Sequence, residues 1–124
     1  MVNIADVQKT YAMVIGAVLV LVGILGFAPN PLVGDDTLFG SNTTQDILHL
    51  VGGAVILWFG YKGSGKTTNM WLGYVSGVVG ILGFVPGANS LLASWFTINA
   101  AISWLHIAIG VVSLGVHYGV KESA

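Results

Sequence analysis

The amino-acid sequence predicts an all-α integral membrane protein, a four-helix bundle made of two tandem parallel two-helix repeats with a period of 57 residues. Three observations predict this fold class: the scarcity of charge, four long apolar segments and an internal repeat. Hydrophobic residues make up 55% of the 124 residues and charged residues only 7%, whereas a soluble domain is about a quarter charged. No Asp, Glu, Lys or Arg lies between Lys66 and Lys121, and such a stretch requires a bilayer as its solvent.

The four apolar segments are roughly as long as membrane spans and run from Tyr11 to Ala28, Thr43 to Tyr61, Met70 to Val85 and Asn99 to Val120. Each approaches the ~20 residues that a helix needs to cross the hydrocarbon layer. Backbone groups in lipid must be hydrogen-bonded internally, so the segments are predicted to be helices. Pro29 and Pro86 are expected to end the first and third spans, and a short interfacial helix is expected around residues 91–96.

The lysines predict the orientation of the chain. Lys9 precedes the first span, Lys62 and Lys66 lie between the second and third spans, and Lys121 follows the fourth. With an even number of spans, all four lysines lie on one side of the membrane. The positive-inside rule then predicts four spans with both termini in the cytoplasm.

The internal repeat relates residues 9–61 to residues 66–118 without a gap, and both belong to one membrane domain, residues 1–124. The segment I-L-G-F-A-P at 24–29, for example, matches I-L-G-F-V-P at 81–86. Each repeat crosses the membrane twice, so a pseudo-two-fold axis along the membrane normal is expected to relate the two. Glycines at paired positions are predicted to let the helices pack closely. These are Gly16, Gly23, Gly53, Gly73, Gly80 and Gly110.

Two motifs in each repeat carry a resemblance to a known family. L-G-F-x-P occurs at residues 25–29 and 82–86, and N-x5-L-H-x3-G follows at residues 42–53 and 99–110. With these motifs the chain resembles a family of small prokaryotic four-helix membrane proteins that is catalogued only as a domain of unknown function. The similarity covers nearly the whole chain. It implies the four-span fold in a prokaryotic cytoplasmic membrane and supplies no activity, cofactor or catalytic residue.

His49 and His106 are the strongest candidate site residues, because a strongly polar side chain within a span is costly and tends to face protein. The repeat places them at equal depth, where the two imidazoles could meet near the axis. In the structural interpretation, they form a polar network between helices together with Asn42 and Asn99. Alternatively they ligate one haem b, with the glycines four residues further on making room for the macrocycle. A divalent metal or a proton relay is the third interpretation.

Asp46 and His117 have no equivalent in the other repeat. Asp46 lies one turn before His49, and its counterpart is Ser103. Asp46 either orients the imidazole of His49 or is simply an acid at the start of a helix on the wet outer surface. His117, whose counterpart is Gly60, is expected to reach the lipid head groups at the inner interface.

Residues 60–67 formally match the phosphate-loop pattern G-x4-G-K-[ST]. That mechanism requires a strand before the loop and a helix packed on a parallel sheet after it. A membrane helix precedes the loop in this chain, so we expect no nucleotide to bind. Lys62 and Lys66 are expected to meet anionic lipid head groups instead.

The sequence offers no set of residues for catalysis, with no nucleophile elbow, paired carboxylates or Ser-His-Asp arrangement. It contains no Cys, and its net charge of −1 without a single Arg argues against nucleic-acid binding. We therefore expect a non-enzymatic membrane protein without a metal or cofactor, which acts as a structural or interaction module. Its partners would be the lipid bilayer and either further copies of itself or other membrane protein subunits. The alternatives are a bis-His haem b protein in electron transfer and a transporter of a small ion or molecule.

Overall fold

A computed structural model of the protein describes residues 7–120, and Lys121 lies outside the described residues. The described chain contains five helices and one pair of two-residue strands. They are α1 (Val7–Leu25), β1 (Val33–Gly34), β2 (Phe39–Gly40), α2 (Thr43–Lys62), α3 (Lys66–Leu82), α4 (Ala88–Phe96) and α5 (Ala100–Gly119). The prediction of an all-helical protein is confirmed in outline, with a short strand pair added between α1 and α2.

The four long helices form two hairpins, in which α1 packs against α2 and α3 packs against α5. The first hairpin is closed at one end by the connection that holds β1 and β2, and the second is closed at the same end by α4. We call this the outer end of the molecule. The inner end is marked by the turn at residues 63–65, which joins α2 to α3.

The helices that return from the outer end begin with the same cap. Asn42 precedes α2 and its Oδ1 accepts a hydrogen bond from the backbone N–H of Gln45 at 2.9 Å. Asn99 precedes α5 and accepts from the N–H of Ile102 at 3.0 Å. An asparagine at this position stabilises a helix because it satisfies an N–H that has no partner within the helix. The two caps occupy equivalent positions of the repeat.

The prolines do not end the preceding helices. α1 ends at Leu25 and α3 at Leu82, four residues before Pro29 and Pro86. After each helix the backbone tightens into turns with three-residue spacing, such as the bond from the N–H of Phe27 to the carbonyl of Ile24 at 3.1 Å. Such turns are common at helix ends. Each helix therefore ends before Ala28 or Val85, the residue in front of the proline, which proline disfavours in a helical conformation.

Glycine allows the two helices of each hairpin to approach closely. A Cβ built on Gly53 would lie 2.7 Å from the backbone of Gly16 and Val20, and one built on Gly110 would lie 2.7 Å from the backbone of Gly77. The six predicted packing glycines all lie in such contacts, with the nearest atom 2.6–2.9 Å from the added Cβ. They are Gly16, Gly23, Gly53, Gly73, Gly80 and Gly110.

Two of the helices, α1 and α5, are long and apolar enough to cross a membrane. α3 has 17 residues, and at ~1.5 Å per residue it is about 26 Å long, short of the ~30 Å of hydrocarbon. α2 has 20 residues, but its first turn consists of polar side chains, residues 43–46. The described chain therefore contains two candidate membrane spans and two further long helices that fall short in length or apolar content.

Candidate functional site: a histidine pair and a central cavity

His49 of α2 and His106 of α5 lie opposite each other across the two hairpins. Their ring centroids are 6.1 Å apart and their planes are inclined by 33°. The Nδ1–H of His106 donates to the carbonyl of Ile102 at 2.8 Å, and because a carbonyl only accepts, this bond fixes the tautomer of the neutral ring. The Nε2 of His106 then carries a lone pair. The Nδ1 of His49 is buried and has no hydrogen-bond partner among the described residues.

The two asparagines of the predicted polar network exchange hydrogen bonds between the hairpins. The Nδ2 of Asn42 donates to the carbonyl of Trp95 at 2.9 Å, and the Nδ2 of Asn99 donates to the carbonyl of Leu38 at 3.2 Å. Leu38 and Trp95 occupy equivalent positions of the repeat, so the two bonds are reciprocal. Each asparagine caps its own helix with Oδ1 and ties it to the other hairpin with Nδ2.

The histidines do not join these asparagines by hydrogen bonds within residues 7–120. His106 bonds to its own helix, and no bond of the His49 Nδ1 to the described chain is present. The glycines four residues further on, Gly53 and Gly110, face α1 and α3. They therefore do not make room beside the imidazoles as the haem interpretation expected.

The space beside the imidazoles comes from a cavity of about 1170 Å³. Its outer half is lined by residues of both hairpins at equivalent positions of the repeat. These pairs are Val18 and Val75, Val22 and Val79, Leu48 and Leu105, and His49 and His106. Its inner half is lined by α2, α3 and the turn between them. These residues include Val55, Ile56, Phe59, Lys62, Ser64, Thr67, Thr68, Trp71 and Leu72.

The inner half is one-sided because side chains join α1 to α5, whereas the equivalent side chains of α3 and α2 line the cavity. The hydroxyl of Tyr11 and the Oγ of Ser113 are 2.6 Å apart and join α1 to α5 by a hydrogen bond. The equivalent positions of the repeat hold Thr68 and Ile56, which line the cavity between α3 and α2. A threonine is too short to span the distance that tyrosine spans, so the cavity stays open on this side.

Asp46 is buried, with only 2% of its surface exposed, so the expectation of a surface acid is wrong. Its Oδ1 accepts a hydrogen bond from the Oγ of Ser41 at 2.5 Å, and the carboxylate lies against Gly26, where a Cβ would collide with it. The Oγ of Ser103 takes the equivalent place against Gly83. Asp46 makes no hydrogen bond to His49 within the described chain.

Gln8 and Asn69 form a buried polar contact at the inner end that the sequence did not predict. The Nε2 of Gln8 donates to the carbonyls of Val116 at 2.6 Å and Val120 at 2.7 Å, which lie at the end of α5. The Nδ2 of Asn69 donates to the Oε1 and the backbone carbonyl of Gln8, each at 2.9 Å. Both side chains are fully buried. Gln8 therefore caps the end of α5, since it donates to the carbonyl of Val120 and adds a second hydrogen bond to that of Val116, which also accepts from the N–H of Val120 at 3.1 Å.

His117 is also buried rather than directed to lipid head groups, and its expected location is wrong. Its Nδ1–H donates to the backbone carbonyl of Lys66 at 2.7 Å, which joins the end of α5 to the start of α3. At the equivalent place in the first hairpin, Gly60 lies against Ala12. A sequence signal was present, because His117 and Asn69 are polar where the other repeat has Gly60 and Ala12.

The segment that matches the phosphate-loop pattern spans the end of α2 and the start of α3. A helix precedes it, and the strands of the described chain lie at the outer end, so the strand–loop–helix context that nucleotide binding needs is missing here. Gly65 has φ +88°, and a Cβ there would lie 2.5 Å from the carbonyl of Gln8. Part of this segment, including Lys62, Ser64 and Thr67, lines the inner mouth of the cavity.

Among residues 7–120, no group of three or more His, Cys, Asp or Glu side chains is arranged to hold a metal ion. Comparison with curated proteins and with solved structures gave no match. A family model described as a domain of unknown function, DUF4383, matches residues 9–118, nearly the whole chain. This range contains His49, His106, Asn42 and Asn99 and nearly all of both hairpins, and the chain belongs to this family of unknown function, as the resemblance in its sequence implied.

Proposed function

We propose that the protein is a non-enzymatic integral membrane protein that crosses the bilayer four times and acts as a structural or interaction module. The observation that carries this proposal is the distribution of polar and apolar side chains. Only four hydrophobic side chains are buried among the described residues, Ala12, Val33, Leu72 and Ile102. Large apolar side chains such as Leu21 and Val111, 64% and 67% exposed, face outward along the helices.

The buried side chains are mainly polar. They include Gln8, Ser41, Gln45, Asp46, Asn69, Ser76, Ser103, Ser113 and His117. Water would favour the opposite arrangement, since burial of apolar surface is the main driving force for folding in water. In lipid, small and polar residues between helices and apolar residues outside are what stabilises a bundle. This distribution holds for all four long helices and so supports four crossings.

Contacts at equivalent positions of the repeat support two tandem parallel hairpins. α2 and α5 have the same length and start at equivalent positions, and α1 and α3 end at equivalent positions. The reciprocal bonds of Asn42 and Asn99 are those expected for a pseudo-two-fold axis between the hairpins. Two hairpins related in this way enter the membrane from the same side.

The charges favour an inner end in the cytoplasm. Lys62 ends α2 and Lys66 begins α3 at the inner end, whereas Asp35 and Asp36 lie in the outer connection between α1 and α2. Positive charge is retained on the cytoplasmic side of membrane proteins. Both termini of the four-span arrangement would then be cytoplasmic.

Single cysteines test this topology cleanly, because the chain has no Cys of its own. In intact cells, a membrane-impermeant maleimide is expected to label Asp35→Cys and Asn89→Cys at the outer end. It is expected to leave Ser64→Cys unlabelled until the membrane is permeabilised. Release of the protein by alkaline carbonate, or labelling of Ser64→Cys in intact cells, would contradict the proposal.

The outward apolar faces leave surface for contact with further copies or with other membrane protein subunits. Native mass spectrometry of protein ejected directly from membrane vesicles is expected to find homo-oligomers or a complex with another subunit. The matched measurement in a harsh detergent should give single chains. A protein that is a single chain in both conditions would contradict the role as an interaction module.

The facing imidazoles favour a second candidate, a bis-His haem b protein. A metal ion between two imidazoles lies about 2 Å from each ligating nitrogen, and a centroid distance of 6.1 Å is of the size that this requires. Haem iron can take one histidine on each side. An absorption spectrum of the purified protein tests this. A Soret band that is lost in His106→Ala and kept in His117→Gln would favour haem, and a colourless protein would exclude it.

A further inference from the structure

We propose that the inner half of the cavity binds one anionic phospholipid per chain, with an acyl chain between α2 and α3 and the phosphate beside Lys62. This inference rests on the membrane location proposed above and adds a ligand class to it. Three features support it. They are the apolar wall of the inner half, the polar side chains at its mouth, and the closure of the equivalent space between α1 and α5.

The wall of the inner half fits an acyl chain. Val55 and Phe59 of α2 and Trp71 and Leu72 of α3 line this half of the cavity. α2 and α3 follow each other in the chain, yet each packs mainly against the other helix of its own hairpin. Val55, Phe59 and Trp71 are 47%, 56% and 63% exposed, so a lipid chain can reach the groove between α2 and α3 from the surrounding hydrocarbon.

The mouth of the groove fits a phosphate group. It is lined by the ammonium-bearing Lys62 and by the hydroxyls of Ser64, Thr67 and Thr68, which together offer a positive charge and several donors. The Nζ of Lys62 lies 5.0 Å from the ring centroid of Trp58, a cation–π contact that keeps the ammonium at this end of α2.

Lys62 is better placed for a lipid than the other described lysines. The Nζ of Lys9 already donates to the carbonyl of Tyr61 at 2.7 Å, and Lys66 does not line the cavity. Asp46, the acid on the same helix as Lys62, lies about four turns earlier, which is ~24 Å along the helix axis. The positive charge at the mouth is thus separated from the acid of its own helix and complements an anionic head group.

The number of lipids follows from the asymmetry of the hairpins. A perfect repeat would have two such grooves, one between α2 and α3 and one between α5 and α1. The bond between Tyr11 and Ser113 fills the second place at 2.6 Å, whereas Thr68 and Ile56 leave the first open. One site per chain is therefore expected, not two.

Native mass spectrometry of the purified full-length protein tests the proposal, after incubation in mixed micelles of equal phosphatidylglycerol and phosphatidylethanolamine. Wild type is expected to retain one phosphatidylglycerol. Lys62→Gln is expected to lower the ratio of phosphatidylglycerol to phosphatidylethanolamine about five-fold, as the loss of one lysine contact at a lipid surface implies. Lys66→Gln is the matched control, since it removes the same charge nearby and should leave the ratio within about two-fold of wild type.

A second variant tests the groove itself. Thr68→Tyr combined with Ile56→Ser copies the residues that close the other side, and it is expected to abolish lipid retention. Gly115→Ala, which lies outside the cavity and where an added methyl meets nothing within 4 Å, should retain the lipid. Circular dichroism checks that each variant keeps its helices. If the closed variant does not fold, the comparison of Lys62→Gln with Lys66→Gln decides alone.

Several results would overturn the proposal. They are equal retention of the two lipids by wild type, two tightly held lipids per chain, equal effects of the two lysine variants, and displacement of the lipid by excess inorganic phosphate. A protein that resists carbonate extraction but shows any of these results refutes this lipid site alone. A protein that carbonate releases refutes the proposed membrane location as well.

Discussion

At the outer end the two hairpins exchange one matching pair of hydrogen bonds, whereas at the inner end the corresponding contacts do not match. Asn42 and Asn99 bind reciprocally at the outer end, with the same atoms in the same roles. At the inner end, Tyr11 bonds to Ser113, but the equivalent Thr68 borders open space. The comparison teaches that the repeat determines helix ends and close helix contacts, while a few unmatched side chains make the bundle asymmetric.

The largest expected effect tests the matched part of this comparison. Gly53→Ala places a methyl group 2.7 Å from the backbone of Gly16 and Val20, which neither helix can avoid without moving apart. We expect a loss of about 1–3 kcal/mol in the free energy of unfolding, the usual cost of overpacking. Gly52→Ala is the matched control, because nothing lies within 4 Å of the added methyl. It should gain about 0.5–1 kcal/mol through helix propensity.

Gly110→Ala extends the test to the second hairpin, where the methyl group would lie 2.7 Å from the backbone of Gly77. Unfolding in detergent with increasing guanidinium, followed by circular dichroism, measures all three variants. If the hairpins are equivalent, Gly53→Ala and Gly110→Ala should destabilise the protein to a similar extent. If one of these two variants had the same free energy of unfolding as Gly52→Ala, the matched contacts would not be equivalent.

The second prediction concerns the unmatched inner end. Gln8→Met keeps the length of the side chain without adding a charge, but it loses the Nε2 donor to the carbonyls of Val116 and Val120 and the Oε1 that accepts from Asn69. The carbonyl of Val116 still accepts from the N–H of Val120, so we expect a loss of about 1–2 kcal/mol, within the usual cost of leaving buried polar groups without partners. Gln8→Ala should cost at least as much. A thermal melt in which Gln8→Met is as stable as wild type would contradict the role of the Gln8 amide.

The sequence predicted the parts of the fold that depend on spacing. The approach of His49 to His106 and the close packing at the glycines both follow from the internal repeat and helix geometry. These features depend on local sequence and on one symmetry relation, both of which a single sequence contains. The sequence predicted a polar network at Asn42 and Asn99 but not that they cap α2 and α5.

The features of the fold and site that the sequence did not predict depend on contacts between residues far apart in the chain. The burial of Asp46 depends on the absence of a side chain at Gly26, and that of Gln8 on where α5 ends. The cavity depends on a difference in side-chain size, because Thr68 is shorter than Tyr11, the residue at the equivalent position of the repeat. Periodicity cannot reveal such features, because it records which face a residue occupies and not what lies opposite it.

The third prediction tests the reciprocal bonds at the outer end. Asn42→Asp keeps the oxygen that caps α2 and replaces the Nδ2 donor, so only the bond to the carbonyl of Trp95 is lost. We expect a loss of about 1 kcal/mol, within the range measured for hydrogen bonds between membrane helices. Asn99→Asp should cost a similar amount, and Asn42→Ala should cost more because the cap is lost as well. Equal stability of Asn42→Asp and Asn42→Ala would show that the cap contributes nothing beyond the bond to the other hairpin.

The smallest expected effect compares the two sides of the inner end directly. Tyr11→Phe removes the hydroxyl that bonds to Ser113 and keeps the ring that fills the space between α1 and α5. We expect a loss of about 0.6 kcal/mol, the average for such bonds in a membrane protein. Thr68→Val, at the equivalent position, removes a hydroxyl that borders the cavity and should change the unfolding free energy by less. Repeated guanidinium titrations can separate the two. If Thr68→Val were the more damaging change, the hydroxyl of Thr68 would hold the groove together, and Tyr11 would close its side by size alone.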